Sequence, residues 1–308
     1  MLSLIVPVFR SEEFIPDLIA VATELNRELG NLELVFVDDG SPDRSRERLM
    51  ELLPATTFKS QLVILSRNFG SFAAIRAGLA AGTGEHFAVM SADLQEPATA
   101  ILEFFKVLRQ GRHDVVVGTR DRRADSFTVR LASAIFWWFY KRLVQRDIPD
   151  GGVDVFGCTR AFRDEVLALP ERNSTLVGLI FWLGFRRTEV RYARQPRRYG
   201  RSGWSFSRKV KYLLDSTFAF SDLPIRLLSL AGLTGMSVSI ILGIVVLATK
   251  FAGRVPVPGY TATVLTVMFF GGLNSFGIGI LGEYLWRTFE NTKRRPEYVV
   301  ARTSHYGT

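Results

Sequence analysis

The sequence predicts an α/β domain with a mostly parallel sheet, followed by two long apolar helices. Two observations predict this organisation. Up to about Arg226, short apolar runs rich in β-branched residues alternate with charged, helix-like segments. After Arg226 come two uncharged stretches of membrane-spanning length. Strand–helix alternation is typical of a parallel sheet covered by helices on both faces.

Composition narrows the class of partner. The chain has 308 residues, of which 47% are hydrophobic, and a formal net charge of +9. A chain of this length holds one sizeable domain plus an additional element. The basic balance favours acidic partners, namely nucleotide phosphates, anionic lipid or nucleic acid. The single Cys158 excludes an internal disulfide. The stretch Met1–Glu13 lacks the basic start of a secretory signal, and we expect a first strand there.

The predicted strands are nearly continuous apolar runs, which are typical of strands buried on both faces of a sheet. In chain order they are LSLIVPVF (2–9), LELVFVDD (32–39), QLVILSR (61–67), HFAVMSAD (86–93) and HDVVVGTR (113–120). Helices are predicted between them, at Glu12–Leu29, Asp43–Leu53, Ser71–Ala81 and Pro97–Gln110. Ligands of such sheets bind beyond the carboxyl ends of the strands. Polar residues cluster at those ends, at Val8–Arg10, Asp38–Asp39, Ser66–Asn68 and Ser91–Gln95.

The two uncharged stretches are Leu227–Thr249 and Thr261–Gly282. Each is close to the ~20 residues that a helix needs to cross a bilayer. The connector is short and contains Pro and Gly, so we predict a transmembrane hairpin; a buried hairpin in a soluble core is the alternative. Basic residues concentrate on both flanks, whereas the connector carries only Lys250 and Arg254. This bias predicts that the N-terminal domain and the C-terminal tail are both cytoplasmic.

Two further segments, Phe127–Val144 and Trp204–Phe220, combine aromatic with basic residues. That combination suits the headgroup layer of a membrane, although ordinary core-packing helices would also explain it. The predicted organisation is therefore an α/β domain with an interfacial helix, a juxtamembrane amphipathic helix, a transmembrane hairpin and a tail. The α/β domain covers 1–203, with the interfacial helix at about 127–144, and the juxtamembrane helix covers 204–223. The hairpin covers 224–286, with spans at about 225–250 and 261–285, and the tail covers 287–308.

No glycine-rich phosphate loop follows the first strand, where the sequence reads PVFRSEE. A metal ion or arginine is then the natural means of holding a phosphate. Asp38 and Asp39, at the second strand end, suit hydrogen bonds to a nucleobase or ribose, although turn and N-cap chemistry also favours Asp there. The small residues that follow Arg67 and Asn68 are explained equally well by helix packing.

The combination of motifs is specific. Pro7, DDGS (38–41), SRNFG…AGL (66–79) and ADLQEP (92–97) occur in the order and spacing of a known family. The chain resembles polyprenyl-phosphate glycosyltransferases of the dolichol-phosphate mannose synthase type, within glycosyltransferase family 2. The resemblance extends along essentially the whole chain, including the late RRYGRSGW…FAFSDLPIRLL and the two apolar helices of the bacterial glucosyl-type branch. It implies a GT-A domain, a nucleotide-sugar donor, a divalent cation (Mg²⁺ or Mn²⁺) and a polyprenyl phosphate acceptor.

The resemblance also implies roles for residues that match its motifs. Asp93 and Gln95 would bind the metal, and Asp93 is also a catalytic candidate. Ser91 stands where the family usually has the first Asp of D-x-D-L-Q, which weakens the expected metal affinity more than it changes the expected reaction. Mg²⁺ and Mn²⁺ accept oxygen ligands, including waters and substrate phosphates. The nucleotide-sugar site would comprise Pro7, Val8, Glu12, Asp38, Asp39, Ser66, Asn68, Arg76, Ser91 and Ala92.

The segment IPDGGVDVFGCTRAF (148–162) aligns with a loop that contains the family's acidic residue, usually described as a catalytic base. Asp154 matches it best, and Asp150 is the second choice. Because a phosphomonoester already carries a charge of about −1.5 to −2, Asp154 is expected to orient the acceptor or stabilise positive charge at the anomeric carbon; a turn Asp bonded to backbone is the alternative. Acceptor and diphosphate binding is implied for Arg120, Arg130, Arg197, Arg198, Arg201 and Ser202.

The resemblance therefore implies an inverting, metal-dependent transfer of one sugar from a nucleotide diphosphate sugar, with uridine expected, to undecaprenyl phosphate. The site would face the cytoplasm at a bacterial inner membrane, and the protein would be a homo-oligomer, a tetramer being favoured, whose tail pairs with a neighbour. QPRRY (195–199) echoes a motif of processive polysaccharide synthases, and a non-catalytic membrane scaffold is a further alternative. Nucleic acid is not an expected partner, because the basic residues cluster beside the apolar helices.

Overall fold

A computed structural model gives the structure of the chain. It describes residues 1–120, 141, 148–149, 152–153, 155–169, 175–196, 199, 214–252 and 259–307. The strands are β1 (Leu2–Val8), β2 (Leu32–Asp38), β3 (Lys59–Leu65), β4 (His86–Val89), β5 (Val115–Arg120), β6 (Val155–Thr159), β7 (Arg187–Tyr192) and β8 (Val300–Tyr306). The helices are α1 (Ile15–Leu29), α2 (Ser45–Leu52), α3 (Ser71–Ala81), α4 (Ala98–Arg109), α5 (Arg160–Ala168), α6 (Leu176–Trp182), α7 (Leu223–Phe251) and α8 (Tyr260–Thr292). Short 3₁₀ turns lie at Glu12–Phe14 and Leu53–Ala55.

The described strands form one eight-stranded sheet in the order β7-β5-β6-β4-β1-β2-β3-β8. β6 runs antiparallel to β4 and β5, and β8 runs antiparallel to β3, whereas the other pairs are parallel. The mostly parallel sheet predicted from the sequence is therefore confirmed. All five predicted strands are present, and β4 ends four residues earlier than predicted, at Val89.

Alternation along each strand divides the core between the two faces of the sheet. Leu4, Val6 and Phe36 belong to one buried cluster, which packs with α1 and α4. Ile5 and Val37, on the opposite face, belong to a second buried cluster that includes α3, α5 and α6. Burying a Leu, Ile or Phe side chain contributes about 1.5–3 kcal/mol. The two layers of helices therefore hold the sheet and the ends of its strands in fixed positions.

Local signals set the ends of several helices. α1 has a proline in its first turn and ends at Gly30, which adopts φ +75°. α5 and α6 begin after Thr159 and Thr175, whose hydroxyl groups accept hydrogen bonds from the backbone N–H groups of Phe162 and Gly178. These caps position the helices of the second cluster against the sheet.

The carboxyl ends of β1, β2, β3, β4, β5 and β7 lie at the same edge of the sheet, and β6 begins there. This arrangement follows from the strand directions, since six strands run in parallel and β6 runs against them. The loops that follow the parallel strands therefore meet at one edge. This is the edge where the sequence places its polar clusters.

The C-terminal part contains two long helices, α7 and α8, at the positions of the two apolar stretches, and α8 extends seven residues beyond the predicted end of about 285. Among the described residues, one segment, Leu223–Val245, is long and apolar enough to cross a membrane, and none of it is buried in the protein. The helices touch where Gly235 faces Phe270 and where Gly277 faces Leu228. The second membrane span stays a prediction.

A helical segment at residues 214–220 precedes α7. The ring of Phe220 lies directly over Gly178 in α6. Arg287 of α8 binds Asp215 at 2.8 Å, and the ring of Tyr284 packs edge-on against that of Phe218. The segment thus contacts both the α/β domain and α8. The predicted interfacial helix at 127–144 lies outside the described residues except for Lys141.

Candidate functional site

Asp39 anchors the loop that follows β3. Its carboxylate accepts hydrogen bonds from the backbone N–H groups of Phe69 at 2.7 Å and Gly70 at 2.9 Å, and from the side-chain amide of Asn68 at 3.0 Å. Burial raises the pKa of Asp39, and these backbone bonds act in the opposite direction. Both carboxylate oxygens are therefore engaged in shaping the Ser66–Gly70 loop.

Asp38, its neighbour, offers an acceptor instead. The side chain is fully buried at the end of β2, and its Oδ1 accepts a hydrogen bond from the backbone N–H of Ser41 at 3.1 Å. Its Oδ2 has no hydrogen-bond partner among the described residues. Burial raises the pKa of Asp38 above its ordinary value, against the effect of the Ser41 bonds. A buried acceptor without a partner is costly unless a ligand donor satisfies it.

Gly40 allows the loops after β2 and β3 to approach each other closely. Its φ is +63°, and a Cβ atom there would lie 2.5 Å from the carbonyl carbon of Arg67 and 2.7 Å from the backbone nitrogen of Asn68. Both neighbours are backbone atoms, so they cannot move aside as a flexible side chain could. The DDGS motif therefore joins the two loops into one wall of the site.

The loop after β4 brings two carboxylates to one hydroxyl group. Ser91 Oγ lies 2.8 Å from Asp93 Oδ1 and also forms a short hydrogen bond with Glu96 Oε2. The same Glu96 oxygen accepts a hydrogen bond from the backbone N–H of Ser91 at 3.1 Å. Glu96 therefore brings a carboxylate to position 91, where the resembled family usually has an Asp.

Gln95 joins this loop to the segment that follows β7. Its amide oxygen contacts the guanidinium group of Arg194, and its backbone carbonyl accepts a hydrogen bond from the N–H of Gln195 at 2.9 Å. In this structure the amide oxygen thus faces Arg194, and its predicted role as a metal ligand stays a prediction. The ring of Tyr199 contacts that of Phe14 at the start of α1.

The residues of the β4 loop fit a divalent cation of the Mg²⁺ or Mn²⁺ kind. The described residues contain no group of three or more His, Cys, Asp and Glu side chains suited to a metal ion. Mg²⁺, however, commonly takes only one or two carboxylates and completes its shell with water and substrate phosphates. Asp93, Glu96 and the Ser91 hydroxyl supply an oxygen-only donor set of that size.

Backbone strain occurs at two of the loops on this edge. Arg10, two residues after β1, has φ +53°, and Leu94, in the β4 loop, has φ +54°. Such conformations cost a non-glycine residue about 1 kcal/mol or more and persist where the surroundings enforce them. Leu94 is nearly buried, so its packing holds the turn that carries Asp93 and Glu96.

The remaining residues predicted to bind the nucleotide sugar lie at or near these loops, with the exception of Arg76. Pro7 and Val8 end β1 beside Asp38, Ala92 is buried in the β4 loop, and Glu12 accepts a hydrogen bond from the N–H of Arg44. Arg76 does not reach the loops with its Nε and Nη2 atoms, which bind Glu297 and the carbonyl oxygen of Leu169. Ser66 begins the loop after β3, as expected.

Two of the predicted acceptor and catalytic residues are described. Asp93 lies in the β4 loop beside Ser91, and Arg120 is the last residue of β5, opposite Tyr192. The others lie outside the described residues, together with the second-choice Asp150. They are Arg130, Asp154, Arg197, Arg198, Arg201 and Ser202.

The sequence predictions missed two residues of this edge, Glu96 and Arg194. In the sequence, Glu96 could be noticed only as an acidic residue directly after the D-L-Q motif. Its role depends on a side chain that reaches back to Ser91, five positions earlier. Arg194 precedes the QPRRY run, but nothing in its spacing indicates that it contacts Gln95. Both contacts are set by tertiary structure.

Comparison with known proteins agrees with this architecture. Residues 3–169 match the family described as Glycosyl transferase family 2. The chain is 31% identical to "Prophage bactoprenol glucosyl transferase homolog" of Escherichia coli (strain K12), covering 98% of each chain. It is also 31% identical to "SfII prophage-derived bactoprenol glucosyl transferase" of Shigella flexneri, covering 99% of each.

Among solved structures, one similar chain is "Mannosyltransferase PcManGT from Pyrobaculum calidifontis in complex with GDP-Man and Mn2+". It is 17% identical, with a TM-score of 0.47 and coverage of 92% of this chain and 87% of that chain. The mixed sheet, with its acidic loops at one edge, and the family match over more than half the sequence lead to the same conclusion. The chain belongs to glycosyltransferase family 2 and is a glycosyltransferase with a GT-A fold.

Proposed function

We propose that this glycosyltransferase transfers one sugar from a nucleotide diphosphate sugar to a polyprenyl phosphate at a membrane surface, with inversion at the anomeric carbon. The observation that carries the proposal is that acidic and polar loops gather at one edge of a GT-A sheet, in a chain that continues into an exposed apolar helix. Relatives named bactoprenol glucosyl transferase match along nearly the whole chain, α7 and α8 included, which supports a lipid acceptor.

The donor nucleotide is proposed to bind between the loops that follow β1, β2 and β3. Asp38 Oδ2 is a buried acceptor without a partner among the described residues, and it suits the ring N–H of a pyrimidine such as uracil. Asp39 keeps the neighbouring loop in place through Asn68, Phe69 and Gly70. Asp38 then recognises the base, and Asp39 shapes the wall.

A divalent cation is proposed at Asp93 and Glu96, with Ser91 between them. When bound, it would stabilise negative charge on the departing nucleoside diphosphate. Glu96 supplies the carboxylate that Ser91 lacks, which offsets the departure from the family motif. Phosphate oxygens of the donor or acceptor are proposed to be bound by Arg120 together with Arg197, Arg198 and Arg201.

The acceptor phosphate needs little deprotonation, because a phosphomonoester is already largely ionised at neutral pH. Asp154 is therefore proposed to orient the acceptor or stabilise positive charge at the anomeric carbon. The membrane hairpin of α7 and α8 and an interfacial helix at about 127–144 are proposed to hold the site at headgroup height on the cytoplasmic face. Confinement there would convert a dilute lipid into a local reactant.

The test is transfer of radiolabelled sugar from UDP-glucose, UDP-N-acetylglucosamine, UDP-galactose or GDP-mannose to undecaprenyl phosphate in vesicles. Wild type would be compared with Asp93→Asn and with the control Glu103→Gln, which removes an exposed carboxylate from α4. We expect one donor to give a single-sugar lipid product of inverted configuration, lost with EDTA and in Asp93→Asn and retained in the control.

Other outcomes would replace the proposal. A polymeric product would indicate a processive polysaccharide synthase. Failure of all four donors, in folded protein that still binds nucleotide, would favour a membrane scaffold with a transferase-like domain. Transfer that survives both EDTA and Asp93→Asn would remove the cation from the mechanism.

A further inference from the structure

The C-terminal segment after α8 returns to the catalytic sheet. β8 lies along β3 in antiparallel register, from Ser60 opposite Tyr306 to Leu65 opposite Val300. β3 would otherwise present a row of unpaired backbone groups as the edge of the sheet. The strand that follows the membrane helices is therefore part of the α/β domain.

The contact between the tail and the sheet continues past the strands into the donor site. The backbone N–H of Ser66 donates a hydrogen bond to the carbonyl oxygen of Val299 at 2.9 Å. Ser66 is the first residue of the loop that carries Asn68 and is anchored on Asp39. The tail thus holds the beginning of this loop through a backbone bond.

A second contact holds the element that follows the loop. Glu297 Oε2 lies 2.6 Å from Arg76 Nε, and their side chains are only 18% and 8% exposed. Arg76 belongs to α3, whose first residue is Ser71, and its Nη2 also donates to the carbonyl oxygen of Leu169 at 2.7 Å. Residues 297–299 of the tail therefore contact the first residue of the Ser66–Gly70 loop directly and, through Arg76, the helix α3 that follows the loop.

We propose that Glu297 and Arg76 are positioning residues of the donor site, through which the segment after α8 sets the position of the nucleotide-binding loop. The inference rests on the proposed function of the Ser66–Gly70 loop in donor binding. Glu297 follows the last residue of α8, Thr292, by only five residues, so the tail also ties this loop to the membrane hairpin. Arg76 acts through the loop and does not itself bind the nucleotide.

The test uses the full chain in lipid nanodiscs and four variants. Arg76→Glu and Glu297→Arg each break the ion pair, the double variant Arg76→Glu/Glu297→Arg restores it with reversed charges, and Glu297→Gln removes only the charge. Arg302→Gln is the matched control, because it removes an exposed charge from the same tail strand. Direct binding of UDP and GDP, the KM for donor and for lipid acceptor, kcat and thermal unfolding would be measured.

We expect the single charge reversals to weaken nucleotide binding and raise the donor KM by about tenfold or more, because a small displacement of a binding loop is sufficient for such a loss. The acceptor KM should stay unchanged, the double reversal should recover most of the affinity, and Arg302→Gln should behave as wild type. If the reversals prevent folding, Glu297→Gln should still show a smaller loss confined to donor binding.

Lowered thermal stability with unchanged nucleotide affinity in Glu297→Gln and the reversals would overturn the inference and leave a purely structural ion pair. Failure of the wild type to transfer sugar, with nucleotide binding intact and still weakened by the reversals, would overturn the proposed reaction but support the positioning role. Binding and transfer therefore separate the two proposals.

Discussion

At the scale of single residues, Asp38 and Asp39 are adjacent in sequence but differ in what they contact. Asp39 uses both carboxylate oxygens on the Ser66–Gly70 loop, whereas Asp38 keeps one buried oxygen without a partner among the described residues. A nucleotide should therefore depend on Asp38 directly and on Asp39 through the loop.

Asp38→Asn should weaken nucleotide binding by about tenfold or more. The amide must direct its oxygen to the Ser41 N–H, so its NH₂ group would face the donor group of the ligand and could not accept a hydrogen bond from it. Burial raises the pKa of Asp38. Wild-type affinity should thus fall on acidification at a higher pH than for an exposed Asp, since protonation removes the acceptor. Calorimetric titration of UDP across pH 4–8 (about the accessible range for a folded protein) measures both effects.

The Asp38→Asn variant should lose this acid dependence, and Asp164→Asn, an exposed Asp of α5, should retain it. The linkage has a sign that can be checked independently. A raised pKa means that the folded state holds the proton more tightly than the unfolded state, so ionising Asp38 costs stability as pH rises through the raised pKa. An acid dependence of affinity that persists in Asp38→Asn would assign it to another group.

Gly40→Ala should disrupt the site, whereas Gly30→Ala should not. Both glycines have positive φ, at +63° and +75°, but only Gly40 would place a Cβ atom against backbone, in the loop after β3. The φ penalty alone costs about 1 kcal/mol, and the clash at Gly40 should raise the cost of that substitution to about 3 kcal/mol or more. Thermal unfolding and UDP titration of both variants test this; equal effects would show that the close approach is unimportant.

A carboxylate introduced at position 91 should be able to replace the carboxylate of Glu96 in metal binding. Glu96→Gln should weaken Mn²⁺ binding in the presence of UDP by about tenfold or more, as loss of a metal-binding or supporting residue commonly does. The double variant Ser91→Asp/Glu96→Gln should recover it. Electron paramagnetic resonance of free Mn²⁺ measures affinity without turnover, and Glu103→Gln is the control.

Recovery is the decisive result, because a general loss of folding or charge would not be reversed by a second substitution in the same loop. Wild-type Mn²⁺ affinity in Glu96→Gln would show that Asp93 and the substrate phosphates are sufficient. It would leave Glu96 as a backbone cap for Ser91.

At the scale of elements, the helical segment 214–220 depends on a glycine for its docking. The ring of Phe220 lies over Gly178, where a Cβ atom would be 2.2 Å from the ring. Gly178→Ala should therefore displace the segment and lower the unfolding temperature, although alanine is favoured over glycine in a helix by about 1 kcal/mol.

Gly232→Ala in α7, where a Cβ atom would meet nothing within 4 Å, should be neutral or stabilising. Thermal unfolding in nanodiscs compares the two, and Gly178→Ala/Phe220→Ala should recover part of the loss. A stabilising effect of Gly178→Ala would mean that Phe220 moves aside without cost.

The elements that the sequence predicts well are those with strong burial on both faces. β1 to β5 consist of nearly continuous apolar residues, and their positions follow from that pattern. β8 reads VARTSHY and is largely exposed, so it carries no such signal and its pairing with β3 emerges only in three dimensions. The site follows the same division, since Asp38, Asp39 and Asp93 are visible as motifs, whereas the contacts of Glu96 with Ser91 and of Glu297 with Arg76 are formed only by the folded chain.

At the scale of the whole molecule, the sheet constrains how the chain crosses a membrane. β3 precedes α7 and β8 follows α8, yet the two strands are hydrogen-bonded neighbours. A sheet cannot be divided by a bilayer, so the chain between them must cross an even number of times. If α7 spans the membrane, α8 must return, and both flanks of the hairpin lie on one side.

Cysteine labelling tests this topology. In a Cys158→Ala background, Ala252→Cys at the hairpin turn should react with a membrane-impermeant maleimide from the outside of intact cells. Thr303→Cys on the exposed face of β8 should react only after permeabilisation. Labelling of both positions, or of neither, from outside would contradict a two-span hairpin with a cytoplasmic tail.

The place of β8 at the edge of the sheet also has a consequence for biogenesis. During translation β3 emerges early, while β8 is synthesised only after both apolar helices, so the α/β domain must exist for a time with an open strand. Strand pairings between segments so distant in sequence form slowly, and an unpaired edge strand can pair with strands of other chains. If the Ser66–Gly70 loop binds the donor and the hairpin enters the membrane as proposed, the loop would receive its contacts from residues 297–299 only after both apolar helices have been synthesised, which would delay activity until the chain has reached the membrane.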